Sequence, residues 1–137
     1  MLFRVYRATL YLLALLFFTG VFLPGSAGAQ AEPLCQGRPA TIVYVGYESV
    51  VKGTPGADVV IVEGGWNTIE TGEGDDVVCA VGHFNTLYGG AGDDVLVSTG
   101  IYNVLYGEAG ADALITDGET GTMNGGPGQN SCNGASC

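Results

Sequence analysis

From Cys35 onward, apolar residues return with a period of nine. Cut every nine residues from Gly53, the chain reads GTPGADVVI, VEGGWNTIE, TGEGDDVVC, AVGHFNTLY, GGAGDDVLV, STGIYNVLY, GEAGADALI, TDGETGTMN and GGPGQNSCN, without insertion or deletion. Backward extension adds YVGYESVVK and CQGRPATIV, giving eleven repeats from Cys35 to Asn133. The eighth position holds Ile42, Val51, Val60, Ile69, Val78, Leu87, Leu96, Leu105, Leu114, Met123 and Cys132, apolar every time. Positions seven to nine are rich in Val, Ile, Thr and Tyr, which suits a short strand. Alternation along a strand then points position eight inward and its neighbours outward, leaving positions one to six as turn. A nine-residue unit cannot bury its own apolar side chain, so the units must stack. Two strands and two turns close a coil of 18 residues, and the repeats predict about five and a half coils. The expected fold is an all-β, right-handed parallel β-solenoid.

Odd and even repeats differ in their turns. Counted from Gly53, odd repeats follow G-x-x-G-x-[D/N] closely, with Gly56, Gly74, Gly92, Gly110 and Gly128 at position four. Position six holds Asp58, Asp76, Asp94, Asp112 and Asn130. Glycine lets a turn take positive φ and aim carbonyl oxygens into one pocket, and calcium takes six to eight oxygens from carboxylates and carbonyls. A bare acidic edge is the competing reading, but carboxylates about 5 Å apart repel by roughly 3 kcal/mol per pair at an effective dielectric near 20.

Gly89-Gly90-Ala91-Gly92-Asp93-Asp94-Val95-Leu96-Val97 resembles the calcium-binding nonapeptide of RTX (haemolysin-type) proteins, G-G-x-G-x-D-x-U-x, at every specified position. The resemblance implies a β-roll with Ca2+ held between successive odd turns. It implies full sites at Asp58 with Asp76, Asp76 with Asp94 and Asp94 with Asp112. A weaker one pairs Asp112 with the neutral Asn130. Ala40, at the matching position before Asp58, leaves that end empty.

Even repeats depart from that pattern. Asn67, Asn85 and Asn103 stand at position six, and glycine moves to position three (Gly64, Gly82, Gly100, Gly118). Ile101, at position four, is β-branched and ill suited to positive φ. These turns predict an asparagine ladder, with amides bonding along the stack and to turn backbone; asparagine carbonyls could also bind calcium, weakly. Trp66, Phe84 and Tyr102 at position five predict a stacked aromatic stripe, or alternatively a binding stripe for a glycan or another extracellular surface. The odd sheet's outer face carries Val59, Ile61, Val77, Cys79, Val95, Val97, Ala113 and Ile115, a patch that suggests a homodimer or a docking surface.

The N-terminal stretch differs in kind. Arg4 and Arg7 precede an apolar run from Ala8 to Leu23, then Pro24-Gly25 and small residues fitting A-x-A cleavage. This predicts a signal peptide within residues 1–31 and a secreted domain over 32–137, with no membrane association after cleavage. Cleavage leaves Arg38 and Lys52 as the only basic side chains against 14 acidic ones, which excludes nucleic acid as a partner. Four cysteines in a small exported chain predict two disulfides. Three connectivities exist; Cys35–Cys79 with Cys132–Cys137 suits the positions best, although inward Cys132 then requires the last repeat to open.

Catalysis finds little support. His83 is the single histidine, and the only bases a lyase-like enzyme could use are Arg38 and Lys52. No catalytic residue is assigned. The expectation is a secreted, calcium-stabilised structural or interaction module from a bacterium. A glycan-binding adhesin and a polysaccharide lyase are the alternatives.

Overall fold

Backbone polar groups of a stacked coil must pair with the coils above and below, and a parallel ladder does this for every strand residue. The computed structural model describes residues 31–118 and 121–137. The signal peptide expected at the N-terminus therefore lies, except for Ala31, outside the described residues. Strands run in chain order as β1 Leu34–Cys35, β2 Arg38–Pro39, β3 Ile42–Val45, β4 Val50–Lys52, β5 Val59–Glu63, β6 Thr68–Glu73 and β7 Val77–Val81. They continue as β8 Thr86–Ala91, β9 Val95–Thr99, β10 Val104–Ala109, β11 Ala113–Thr116, β12 Thr122–Asn124, β13 Ser131–Cys132 and β14 Ala135–Ser136.

Odd repeats build one parallel sheet, from β3 to β13 in steps of two, and even repeats build the other, from β4 to β12. Register advances by one coil of 18 residues at each step: Val60 lies opposite Val78 and Val78 opposite Leu96, while Ile69 lies opposite Leu87 and Leu87 opposite Leu105. The chain is the β-roll its repeat predicted.

Position eight fills the space between the sheets. Val60, Ile69, Val78, Leu87, Leu96, Leu105 and Leu114 are fully buried in one cluster. Burying each such side chain contributes about 1.5–3 kcal/mol. The strands run further than the triplet expected. They pass through position one, which is a second inward position: Val62 and Ala80 join the core, and Ser98, Thr116 and Thr71 are buried. The turns shorten accordingly, because an extended strand that points residue eight inward points residue one inward as well.

Both ends are finished by a hairpin. Gln36 and Gly37 take φ of 50° and 79° between β1 and β2, and Asn133 and Gly134 take 47° and 81° between β13 and β14. Two consecutive left-handed residues suit a type I′ turn. Cys35 bonds to Cys79 and Cys132 to Cys137, the pairing the positions favoured. The last repeat does open: β14 folds back antiparallel on β13, which lets Cys132 reach Cys137.

The N-terminal hairpin changes the picture of the odd sheet's outer face. Cys35 and Ala40 form a second buried cluster with Val59, Ile61 and Val77, and Cys79 and Val95 pack against it. Much of the patch that suggested a dimer is thus covered by the chain itself. Val97, Ala113 and Ile115 remain at least partly open, with Ile115 40% exposed.

The two layers predict a sharp contrast under denaturant titration. Leu96→Ala should lower unfolding free energy by about 2–5 kcal/mol, whereas Ile115→Ser should change it by about 0.5 kcal/mol or less.

Candidate metal centre

The two long edges of the roll share one hydrogen-bonding device with two chemistries. On the even edge, Asn67 Oδ1 accepts the Ser49 N–H (3.1 Å), Asn85 Oδ1 that of Asn67 (3.0 Å) and Asn103 Oδ1 that of Asn85 (2.9 Å). Each amide nitrogen donates in turn to a backbone carbonyl: Asn67 to Gly46 (2.9 Å), Asn85 to Gly64 (3.0 Å) and Asn103 to Gly82 (2.9 Å). Both halves of these buried amides are satisfied, and the asparagine ladder is as expected.

The odd edge repeats the first half of that pattern. Asp76 Oδ1 accepts the Asp58 N–H (2.7 Å), Asp94 Oδ1 that of Asp76 (2.9 Å), Asp112 Oδ1 that of Asp94 (3.0 Å) and Asn130 Oδ1 that of Asp112 (2.9 Å). An aspartate has no proton for the second half. Oδ2 of Asp76, Asp94 and Asp112 is buried and has no hydrogen-bond partner. An orphaned buried carboxylate oxygen is costly unless a cation or proton joins it.

The five residues expected to bind metal therefore divide. Asp76, Asp94 and Asp112 are buried and each offers one free oxygen. Asp58 does not: Oδ2 accepts the Thr54 N–H (2.6 Å) and hydroxyl (2.9 Å), and Oδ1 accepts the Thr41 hydroxyl (3.1 Å). Asn130 is also satisfied, its amide donating to the Gly126 carbonyl (2.8 Å). Among the described residues no three His, Cys, Asp or Glu side chains converge on one point. A cation here would take backbone carbonyls as most of its ligands, which is ordinary for calcium.

Glycine brings such carbonyls close. A Cβ on Gly89 would collide with Asp94 Oδ2 and lie 2.8 Å from the Gly107 carbonyl. One on Gly107 would collide with Asp112 Oδ2 and lie 2.7 Å from the Gly125 carbonyl. Carboxylate and carbonyl oxygens thus converge where side chains would otherwise be, and the donor set fits a hard cation. Asp75 and Asp93 serve the stack differently, accepting the N–H of Asp93 (3.0 Å) and of Ala111 (2.8 Å) one coil further on.

Burial sets the electrostatics. It pushes the Asp94 carboxyl up to about 7, against the Asp76 N–H that favours the charged form; the charges of Asp76, Asp112 and Asp75 push the same way as burial. Asp76 is raised by burial, opposed by the Asp58 N–H, with the Asp58 and Asp75 charges adding to the rise. Asp112 is raised by burial, opposed by the Asp94 N–H, with the Asp93 charge adding to the rise.

Elsewhere the aromatic stripe is a stack. Trp66 and Phe84 lie 4.2 Å apart at 9°, and Phe84 and Tyr102 5.1 Å apart at 10°. Neighbouring rings cover one another's faces, the surfaces on which a sugar would lie. All three residues take positive φ (58° to 62°), a conformation costing roughly 1–2 kcal/mol per residue. Ring stacking, about 0.5–1.5 kcal/mol per pair, offsets part of it. Ile101 escapes the left-handed region because positive φ falls on positions three and five of these turns. His83 is exposed and its Nδ1 accepts the Ile101 N–H (3.0 Å), while Lys52 pairs with Glu70 at 2.9 Å.

Sequence reasoning missed the threonines. Thr41 and Thr54 close the first odd turn, and Thr71 interrupts the glycines at position one of the odd repeats. Only the last of these was visible in the aligned repeats.

A family model described as the RTX calcium-binding nonapeptide repeat (4 copies) matches residues 48–78, 84–100 and 102–123, just over half of the chain. No curated protein and no solved structure matches.

The raised carboxyls set a pH dependence for the metal-free protein. With its folded value near 7 and its unfolded value at 3.8, Asp94 keeps a proton in the fold that it loses on unfolding. Its contribution is fully present below the unfolded value and is lost as pH rises through the folded one. In chelator, thermal unfolding midpoints should therefore fall between pH 4 and about 7 and level off above, the reverse of ordinary acid denaturation.

Proposed function

This chain belongs to the RTX calcium-binding nonapeptide repeat family, and from that premise we propose that it is an exported structural module whose β-roll is completed by Ca2+ on the odd edge. The observation that carries the reading is the row of buried Asp76, Asp94 and Asp112 oxygens without a donor. A divalent cation supplies the positive charge that the neighbouring asparagine ladder supplies as amide hydrogens. Backbone N–H groups hold each carboxylate by Oδ1, so Oδ2 points in a fixed direction. Burial keeps water from competing for that oxygen.

Calcium binds the folded state, where these oxygens are gathered, and not the unfolded chain, where they are dispersed. Binding energy is then folding energy. Export accords with the N-terminal pattern of residues 1–31. It also accords with the absence of free cysteines among the described residues, all four being disulfide-bonded. Outside the cell, abundant calcium would keep even modest sites filled, and the protein would fold on leaving a calcium-poor interior.

Chelation tests the reading directly. Removing calcium at pH 7.5 should lower the thermal midpoint or abolish the β-sheet circular dichroism. Each site saturated at 100 times its Kd should add about 2.7 kcal/mol. An unchanged midpoint across a calcium titration would refute it. Asp94→Asn should separate the two roles of that residue: it keeps the Oδ1 bond and removes the buried charge. The variant should be more stable than the parent in chelator and gain less on adding calcium.

A further inference from the structure

We infer that calcium loads only the C-terminal half of the roll, at Asp94 and Asp112, and that threonine side chains close its place in the N-terminal half. This rests on the calcium reading above and concerns which turns of that edge take the ion. The five odd turns look equivalent as a repeat but differ in the space beside their position-six residue.

At Asp94 and Asp112 no side chain stands in that space. Position one is glycine, Gly89 and Gly107, and the carboxylate Oδ2 faces the carbonyl of the next coil's position one across the missing Cβ. Both carboxylates are 1–2% exposed and their Oδ2 atoms lack partners.

At Asp76 the same space is filled. Position one is Thr71, itself 2% exposed, and its hydroxyl donates to the carbonyls of Gly89 (2.7 Å) and Tyr88 (3.2 Å). The carbonyl corresponding to those that face Asp94 and Asp112 is therefore already engaged, and a side chain stands where the cradle would be. At Asp58 the carboxylate is closed by Thr54 and Thr41. In the first coils the Asp58 carboxylate is met by hydroxyls, the Asp76 Oδ2 keeps no partner but has Thr71 in the place of the cradle, and the chain is bound to the N-terminal hairpin by Cys35–Cys79. These coils form a metal-independent base on which the calcium-dependent coils stack.

Isothermal titration of the full chain with calcium chloride at pH 7.5 should give about two ions. Thr71→Gly should raise the count by one, and Thr71→Ser, which keeps the hydroxyl, should leave it unchanged. Hydrogen exchange in chelator supplies a readout that needs no variant: amides of residues 42–80 should stay protected while those of 86–116 lose protection. A wild-type count of three or more, or uniform loss of protection along the roll, would overturn the division while leaving calcium binding intact. No calcium heat at all would overturn both.

Discussion

In a stacked coil every side chain meets its own counterpart one turn away, at the spacing of neighbouring strands. That constraint decides what each position of the repeat tolerates. Leucine on leucine and valine on valine give a continuous core. Ring on ring gives a stripe held at 4.2 to 5.1 Å. Asparagine on asparagine gives a ladder in which every amide is both donor and acceptor. Aspartate on aspartate alone fails, because a row of acceptors has no protons to share.

The two edges therefore form a controlled comparison within one molecule. They use the same 18-residue offset and the same Oδ1-to-backbone bond. They differ where an amide nitrogen is replaced by an oxygen. On one edge the fold is self-sufficient; on the other it is incomplete until a proton or a cation is supplied.

The ends show the same economy of means. A solenoid cut at either end exposes strand edges and core. Here each end turns back through a left-handed pair, Gln36-Gly37 or Asn133-Gly134, and is tied by a disulfide. At the N-terminus the hairpin also covers the outer face of the odd sheet. That face looked like an interface because its strands carry apolar residues on both sides. It is partly a second core.

Sequence by itself determined the coil length, the inward row at position eight, the division into odd and even turns and the amide ladder. All of these follow from a period that brings like residues together, and a period is visible in a string of letters. It also named Asp76, Asp94 and Asp112, since a carboxylate repeated every 18 residues must stack. Tertiary structure alone decided that Asp58 is closed, because Thr41 lies a coil away and Thr54 reaches back within its own turn. It decided too that Thr71 puts a side chain where Gly89 and Gly107 have none. Whether a buried oxygen has a partner depends on distances between coils, and no repeat pattern encodes those residue by residue.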